Sequence, residues 1–142
     1  MSTIVFRGND RIKTLSPQDR GLMYGDGLFE TLRAGRGDLP WWPAHWRRLQ
    51  SGAGRLGLAL PDEGMIHAAA QELLDARPQV LKIILTRGES GRGYLPVAGP
   101  ATCILSTYPV NSSAPIRGIA DRAHRDTEQS KPWEMRSCRR QC

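Results

Sequence analysis

From Asn111 to Cys142 the sequence contains no Leu, Val, Phe or Tyr. Those residue types supply most of the apolar positions before that point. The later segment is rich in Arg, Ser, Asp and Glu, and its few apolar residues follow neither a helical nor a strand period. Such a segment cannot bury enough apolar area to offset its ordering entropy. The core must therefore come from residues 1–110, and 111–142 is expected to be a disordered or poorly packed tail. A chain of 142 residues has room for one ordinary domain, not for two full ones.

Within residues 1–110 the pattern predicts a small α+β domain. TIVFR (3–7) and RIKTL (11–15) flank the turn GND, which is a hairpin signal. Ser16-Pro17-Gln18-Asp19 reads as a turn or a single helical turn. The stretch YGDGLFETLRA then places two glycines around Asp26 at the start of a strand, residues 28–34. Leu28, Glu30 and Leu32 alternate with Phe29, Thr31 and Arg33, as in a strand buried on one face and lining a pocket with the other. Trp46, Leu49 and Leu56 predict a helix from 43 to about 56, weakened by Gly52 and Gly54. A second helix begins after Asp62, with Met65, Ile66, Ala69, Leu73 and Leu74 on one face, and stops before Pro78. VLKIILTRG (80–88) and ATCILSTYP (101–109) are strands joined by the loop ESGRGYLPVAGP. The expected architecture is a small mixed sheet with two helices.

Composition excludes several classes. At 39% hydrophobic and 24% charged the chain reads as globular. No apolar run approaches the ~20 residues of a membrane span, and MSTIVFRGND lacks the features of a signal peptide. A cytoplasmic location is expected. Cys103, Cys138 and Cys142 have neither disulfide-framework nor zinc spacing, so no metal is expected, and Cys103 reads as a buried small hydrophobe. The net charge of +6 comes from scattered Lys and Arg, which favours a basic surface over a nucleic-acid stripe.

Four local features bear on chemistry: YGDGLFET, His45-Trp46-Arg47-Arg48-Leu49, Thr86-Arg87-Gly88 and Gly91-Arg92-Gly93-Tyr94. Taken singly, each has a plain reading as a turn, a solvated helix face or a flexible loop. None forms a Ser/His/Asp set, a carboxylate pair or a phosphate loop. In this order and spacing, DRGLMYGDGLFETLRAGRGDLPWWPAHWRRLQ resembles the opening signature of the class IV aminotransferase family, the fold-type IV pyridoxal-phosphate (PLP) enzymes. LKIILTRGESGRGY resembles the aminodeoxychorismate lyase branch, whose members release pyruvate from 4-amino-4-deoxychorismate to give 4-aminobenzoate for folate synthesis. The resemblance runs from Met1 to Pro109, and implies that 1–110 is the N-terminal domain of such an enzyme.

The resemblance assigns roles by position. Arg48 falls on the arginine of the family's His-x-x-Arg-Leu pattern, which binds the cofactor phosphate, a role that a guanidinium fork suits. Phe29 matches the aromatic position facing the substrate. Arg92 and Tyr94 match loop positions that meet a substrate carboxylate. Arg47 has no counterpart and reads as a surface group, and Asp26 reads as a turn-stabilising acid. Family members are homodimers acting on a small molecule, with no membrane or nucleic-acid partner.

The resemblance also implies a lysine that holds PLP as a Schiff base, in a segment like Lys-His-Leu-Asn-Arg-Leu. That lysine is not found. Lys13 lies on the opening hairpin, Lys82 in the 80–88 strand with a surface or sheet-edge reading, and Lys131 in EQSKPWEM, whose flanks do not match. The second domain, with its acid near the pyridine nitrogen, has no counterpart either. The chain is thus expected to be a truncated member, inactive alone, with an apolar face left exposed. Two other readings stay open: an aminotransferase of D-amino or branched-chain amino acids, and a small basic nucleic-acid-binding module using Trp41, Trp42 and Trp46 beside Arg47 and Arg48. Core packing is the favoured reading of these tryptophans. The break near Asn111 is what a shifted reading frame would leave. Translating the other two frames beyond codon 110 is then expected to reveal a KHLNRL-like segment, and its absence from both would exclude a frameshift.

Overall fold

A computed structural model describes residues 2–35, 37–90, 93–95 and 98–110. The expectations for the 111–142 tail and for Arg92 lie outside these residues. The opening hairpin forms as its turn predicts. β1 (Ser2–Arg7) and β2 (Asp10–Ile12) are antiparallel, with Val5 opposite Ile12. A turn follows, closed by the Asp19 amide donating to the Ser16 carbonyl (3.1 Å). It leads into a five-residue helix that periodicity is too short to reveal, α1 (Arg20–Tyr24). Asp19 caps it by accepting from the Gly21 amide (2.8 Å). Gly25 ends it in the left-handed region at φ +67°, where a side chain would be strained.

The remaining elements are β3 (Gly27–Ala34), α2 (Trp42–Leu56), α3 (Glu63–Leu73), β4 (Gln79–Thr86) and β5 (Thr102–Pro109). Five strands form one sheet in the order β2-β1-β5-β4-β3. The α+β reading stands, but every described strand pair is antiparallel where a mixed sheet was expected. The reason lies in the connections. Two helices, not one, separate β3 from β4 and bring the chain back to the end it left, so Ala34 pairs with Gln79. The loop after β4 returns in the same way, pairing Thr86 with Thr102. A single helical crossover would have produced a parallel pair.

Both longer helices cover the same face of the sheet. α2 packs on β3, and α3 reaches β1 and β5. Trp42, Trp46, Leu49 and Ala53, at helical spacing, form the buried stripe of α2. They meet Leu32, Leu81, Ile83, Leu85, Cys103 and Leu105 from alternate strand positions. Leu49, Ile66, Leu81, Leu85 and Leu105 are fully buried, each contributing about 1.5–3 kcal/mol. Gly52 costs α2 some propensity, and a Cβ there would meet the Leu28 methyls at 3.5–3.7 Å, an ordinary packing contact. Asp62 caps α3 by accepting from the Met65 amide (2.8 Å).

Trp42 and Trp46 stack on one another in the core, with ring centroids 5.6 Å apart. Trp41 departs from the expected core packing: it precedes the first helical turn and is 67% exposed. Cys103 is buried as expected, and burial pushes its thiol up to about 12. No helix among the described residues is long and apolar enough to cross a membrane.

Gly27 enters β3 against backbone rather than a pliant side chain. A Cβ there would lie 2.6 Å from the Leu85 carbonyl oxygen and 3.1 Å from the Thr86 Cα. Gly27→Ala is therefore expected to destabilise the fold by about 1–3 kcal/mol, read as a lower urea midpoint with an unchanged m-value.

Candidate functional site

The turn that opens β3 is held from three directions. Asp26 accepts from Arg20 Nε (2.9 Å) and from Arg87 Nε (2.8 Å) and Nη2 (3.2 Å). Arg87 also donates to the Leu56 and Gly57 carbonyls (2.7 and 2.9 Å), the unsatisfied acceptors at the C-terminus of α2. One carboxylate thus ties the glycine turn to the end of β4 and to α2. Two guanidiniums facing one acid would leave excess charge in a largely buried place. The helix-end carbonyls supply the missing negative partners. Arg87's hydrogen bond is the main cause that holds the Asp26 carboxyl below its ordinary value, with help from Arg20 and against the effect of burial. Asp26 is thus a turn-stabilising acid, but its partners come from outside the turn.

Period-two alternation sends Leu28, Glu30, Leu32 and Ala34 toward α2. Glu30 is thereby a buried carboxylate on a helix-facing position, 3% exposed. His45 and Arg48, three apart on α2, meet it there. Glu30 Oε2 lies 2.8 Å from His45 Nδ1, and Oε1 accepts from Arg48 Nε at 2.6 Å. Arg48 Nη2 donates to Oε2 as well, making the pair bidentate. Burial works to raise the Glu30 pKa. The bonds from Arg48 and His45 outweigh it and leave the carboxyl below its usual value. The sequence reading missed Glu30, although an acid at an inward strand position facing His-x-x-Arg was a usable signal.

Arg48 keeps its outer side toward solvent, with its side chain 68% exposed. Its Nη1 carries no hydrogen bond among the described residues, so donors remain for an external anion. Arg47 is exposed, as expected, and donates to the Pro43 carbonyl (3.3 Å). Phe29 lies on the opposite face of β3, 63% exposed. It borders an apolar cleft of about 400 Å³ with Leu15, Leu22, Ile84 and Ile104. Lys82 is not at a sheet edge. It lies on β4, inside the sheet, with Nζ 5.0 Å from the centre of the Phe29 ring. Tyr94 is 87% exposed, beside Tyr24, with ring centroids 5.9 Å apart. The expected site residues therefore do not form one cluster among the described residues. Arg48 belongs to the helix side of the edge strand β3, and Phe29 to its open side.

The PLP phosphate fits one part of this arrangement. Arg48 is aimed by a buried carboxylate and has donors to spare. Covalent attachment finds no equal support among the described residues: Lys13 is exposed, and Lys82 stands over Phe29 on the face away from Glu30, while Lys131 lies outside them.

Two acid-sensitive contributions follow from these carboxylates. Both pKa values are lowered on folding, so the stabilisation is complete above the ordinary values of 3.8 for Asp26 and 4.5 for Glu30. It is lost as pH falls through the folded values. Denaturant midpoints measured across this range are expected to fall with acid, and to fall less steeply in Asp26→Asn and Glu30→Gln. At neutral pH, Asp26→Ala removes the carboxylate that both arginines share and is expected to cost about 3 kcal/mol or more.

The sequence model of the amino-transferase class IV family matches residues 27–139, a span that runs past Val110. Aminodeoxychorismate lyase of Vibrio harveyi is 36% identical over 89 residues, covering 61% of this chain and 33% of that protein. The crystal structure of 4-amino-4-deoxychorismate lyase from Pseudomonas aeruginosa matches with a TM-score of 0.65 at 37% identity, over 78% of this chain and 41% of that one. The branched-chain amino acid aminotransferase of Escherichia coli shares the fold, with a TM-score of 0.65 at 14% identity, over 80% and 41% of the two chains. This chain spans well under half the length of these relatives. With the family's sequence matched over residues 27–139 and its fold formed around Glu30 and Arg48, the chain belongs to the class IV aminotransferase family.

Proposed function

We propose that this chain supplies the N-terminal, phosphate-side wall of an aminodeoxychorismate lyase, which converts 4-amino-4-deoxychorismate to 4-aminobenzoate and pyruvate. The supporting observation is the 36–37% identity to two lyases over a fold in which Arg48 is anchored and outward-facing. The aminotransferase alternative has weaker support, since the branched-chain enzyme shares the fold at 14% identity. Stacking of Trp42 and Trp46 in the core removes two of the three rings that a nucleic-acid module would use.

In this reading PLP, when bound, supplies an electron sink at the reacting carbon. Arg48 holds its phosphate end, and Glu30 and His45 fix the guanidinium's direction. Phe29 forms part of the substrate-side wall. Tyr94 and Arg92 meet the substrate's carboxylates; Arg92 lies outside the described residues. Residues 1–110 form the domain that does this, in a cytoplasmic enzyme working as a homodimer. Among the described residues, neither Lys13 nor Lys82 stands beside Arg48 in a position suited to moving the proton, which supports a chain that is inactive alone.

Three measurements test this. The purified chain, given PLP and 4-amino-4-deoxychorismate, is expected to release no 4-aminobenzoate, and release would overturn the inactivity. A chimera carrying residues 1–110 in place of the corresponding part of the Pseudomonas aeruginosa lyase is expected to form 4-aminobenzoate and pyruvate. Amino transfer to a keto acid in its place would favour the aminotransferase. In that chimera, Arg48→Ala is expected to weaken PLP binding by about tenfold or more, because it removes a charge-assisted hydrogen bond to the phosphate.

A further inference from the structure

Arg20 is a buried arginine that none of the family-matched roles uses. It is 5% exposed and sits in the first turn of α1. Four of its five N–H donors have named acceptors. Nε donates to Asp26 Oδ2 (2.9 Å). Nη1 donates to Ser90 Oγ and to the Gly93 carbonyl, both at 3.1 Å. Nη2 donates to the Tyr94 carbonyl, also at 3.1 Å. Its guanidinium carbon lies 4.8 Å from the centre of the Tyr24 ring, which in turn meets the Tyr94 ring. The Arg20 backbone amide adds a bond to the Gly88 carbonyl (2.9 Å).

Packing cannot place Tyr94 and Leu95, which are 87% and 85% exposed. Among the described residues 93–95, position comes instead from the Tyr24 ring contact and from the polar bonds made to their carbonyls. Here those bonds converge on one planar group, and Asp26 holds that group from the other side. Asp26 is itself held by Arg87, so the fork that grips the Gly93 and Tyr94 carbonyls is braced against the end of β4. A lysine in its place would keep the charge but could not reach both carbonyls, Ser90 and Asp26 in one plane.

We propose that Arg20 is the positioning residue for the segment carrying Tyr94, and so determines where this tyrosine stands at the site. The effect on substrate rests on the proposed function, in which Tyr94 meets a substrate carboxylate. The placement of the segment does not.

The test is nuclear magnetic resonance on the 142-residue chain. In the wild-type protein, the Arg20 Nη protons are expected to exchange slowly and to show cross-relaxation to residues 93–94, with the Tyr24 and Tyr94 ring protons also close enough to cross-relax. Freely exchanging Nη protons with no such signals would overturn the proposal without any variant. In Arg20→Lys, the Tyr24–Tyr94 ring signal is expected to vanish and the Tyr94 and Leu95 amides to exchange about tenfold faster or more, with the β4 and β5 amides unchanged. Persistence of the ring signal and of the exchange rates would also overturn it. Arg20→Lys is then placed in the lyase chimera described above. A raised KM for 4-amino-4-deoxychorismate with kcat and PLP binding retained supports the step from Arg20 to substrate. An unchanged KM, in a variant whose two tyrosine rings have separated, overturns Tyr94's substrate role and leaves Arg20's placement of the segment standing.

Discussion

The Asp26 carboxylate is the point on which separate parts of this fold converge. It is shared by Arg20 from α1 and Arg87 from the end of β4, and Arg87 carries the connection on to the carbonyl end of α2. Without that acid, two guanidiniums would face each other across a glycine turn. With it, the turn, the sheet end and the helix that carries Arg48 are fixed relative to one another. The cluster is well satisfied because the acceptors nearly match the donors. Helix-end carbonyls complete the match, so the C-terminus of α2 is satisfied by the same group that holds the turn.

A second carboxylate, Glu30, acts more locally and on the opposite kind of target. It lies under α2 and spends both oxygens on residues of one helix turn. Its burial would be costly if it were unpaired. Paired, it removes the freedom of a long, mostly exposed arginine. An arginine pinned along one edge loses less entropy when its other edge meets an anion. The same helix thus has its end gripped by Arg87 and one of its arginines aimed by Glu30.

Much of this was legible in the sequence because it is periodic. β4, β5, α2 and α3 follow from apolar spacing, and the cap at Asp62 and the turn at Ser16–Asp19 follow from local chemistry, whereas the cap that Asp19 places on α1 does not. What escaped is non-local or too short. α1 has five residues, less than any period can report. The antiparallel sheet depends on two helices returning the chain to Ala34, which no strand reveals by itself. Arg20 reaches across 73 and 74 residues to Gly93 and Tyr94, and Arg87 across 61 to Asp26. The resemblance brought out Arg48, Phe29 and Tyr94, yet gave no sign that β3 separates Arg48 from Phe29. Glu30 lay between: strand alternation turned it inward, but only the structure shows which helix turn it meets.

β3 is an outermost strand of the sheet, so one row of its backbone donors and acceptors has no strand partner. Such a border invites another extended chain to join. Here the strand carries an inward acid, Glu30, paired with Arg48 on the helix side of the sheet. An inward-pointing charge of this kind is one of the features by which an edge strand resists such pairing. The ion pair that aims an arginine outward also makes this border a poor template for another strand. A group suited to recognising an anion thereby guards the sheet against its own kind.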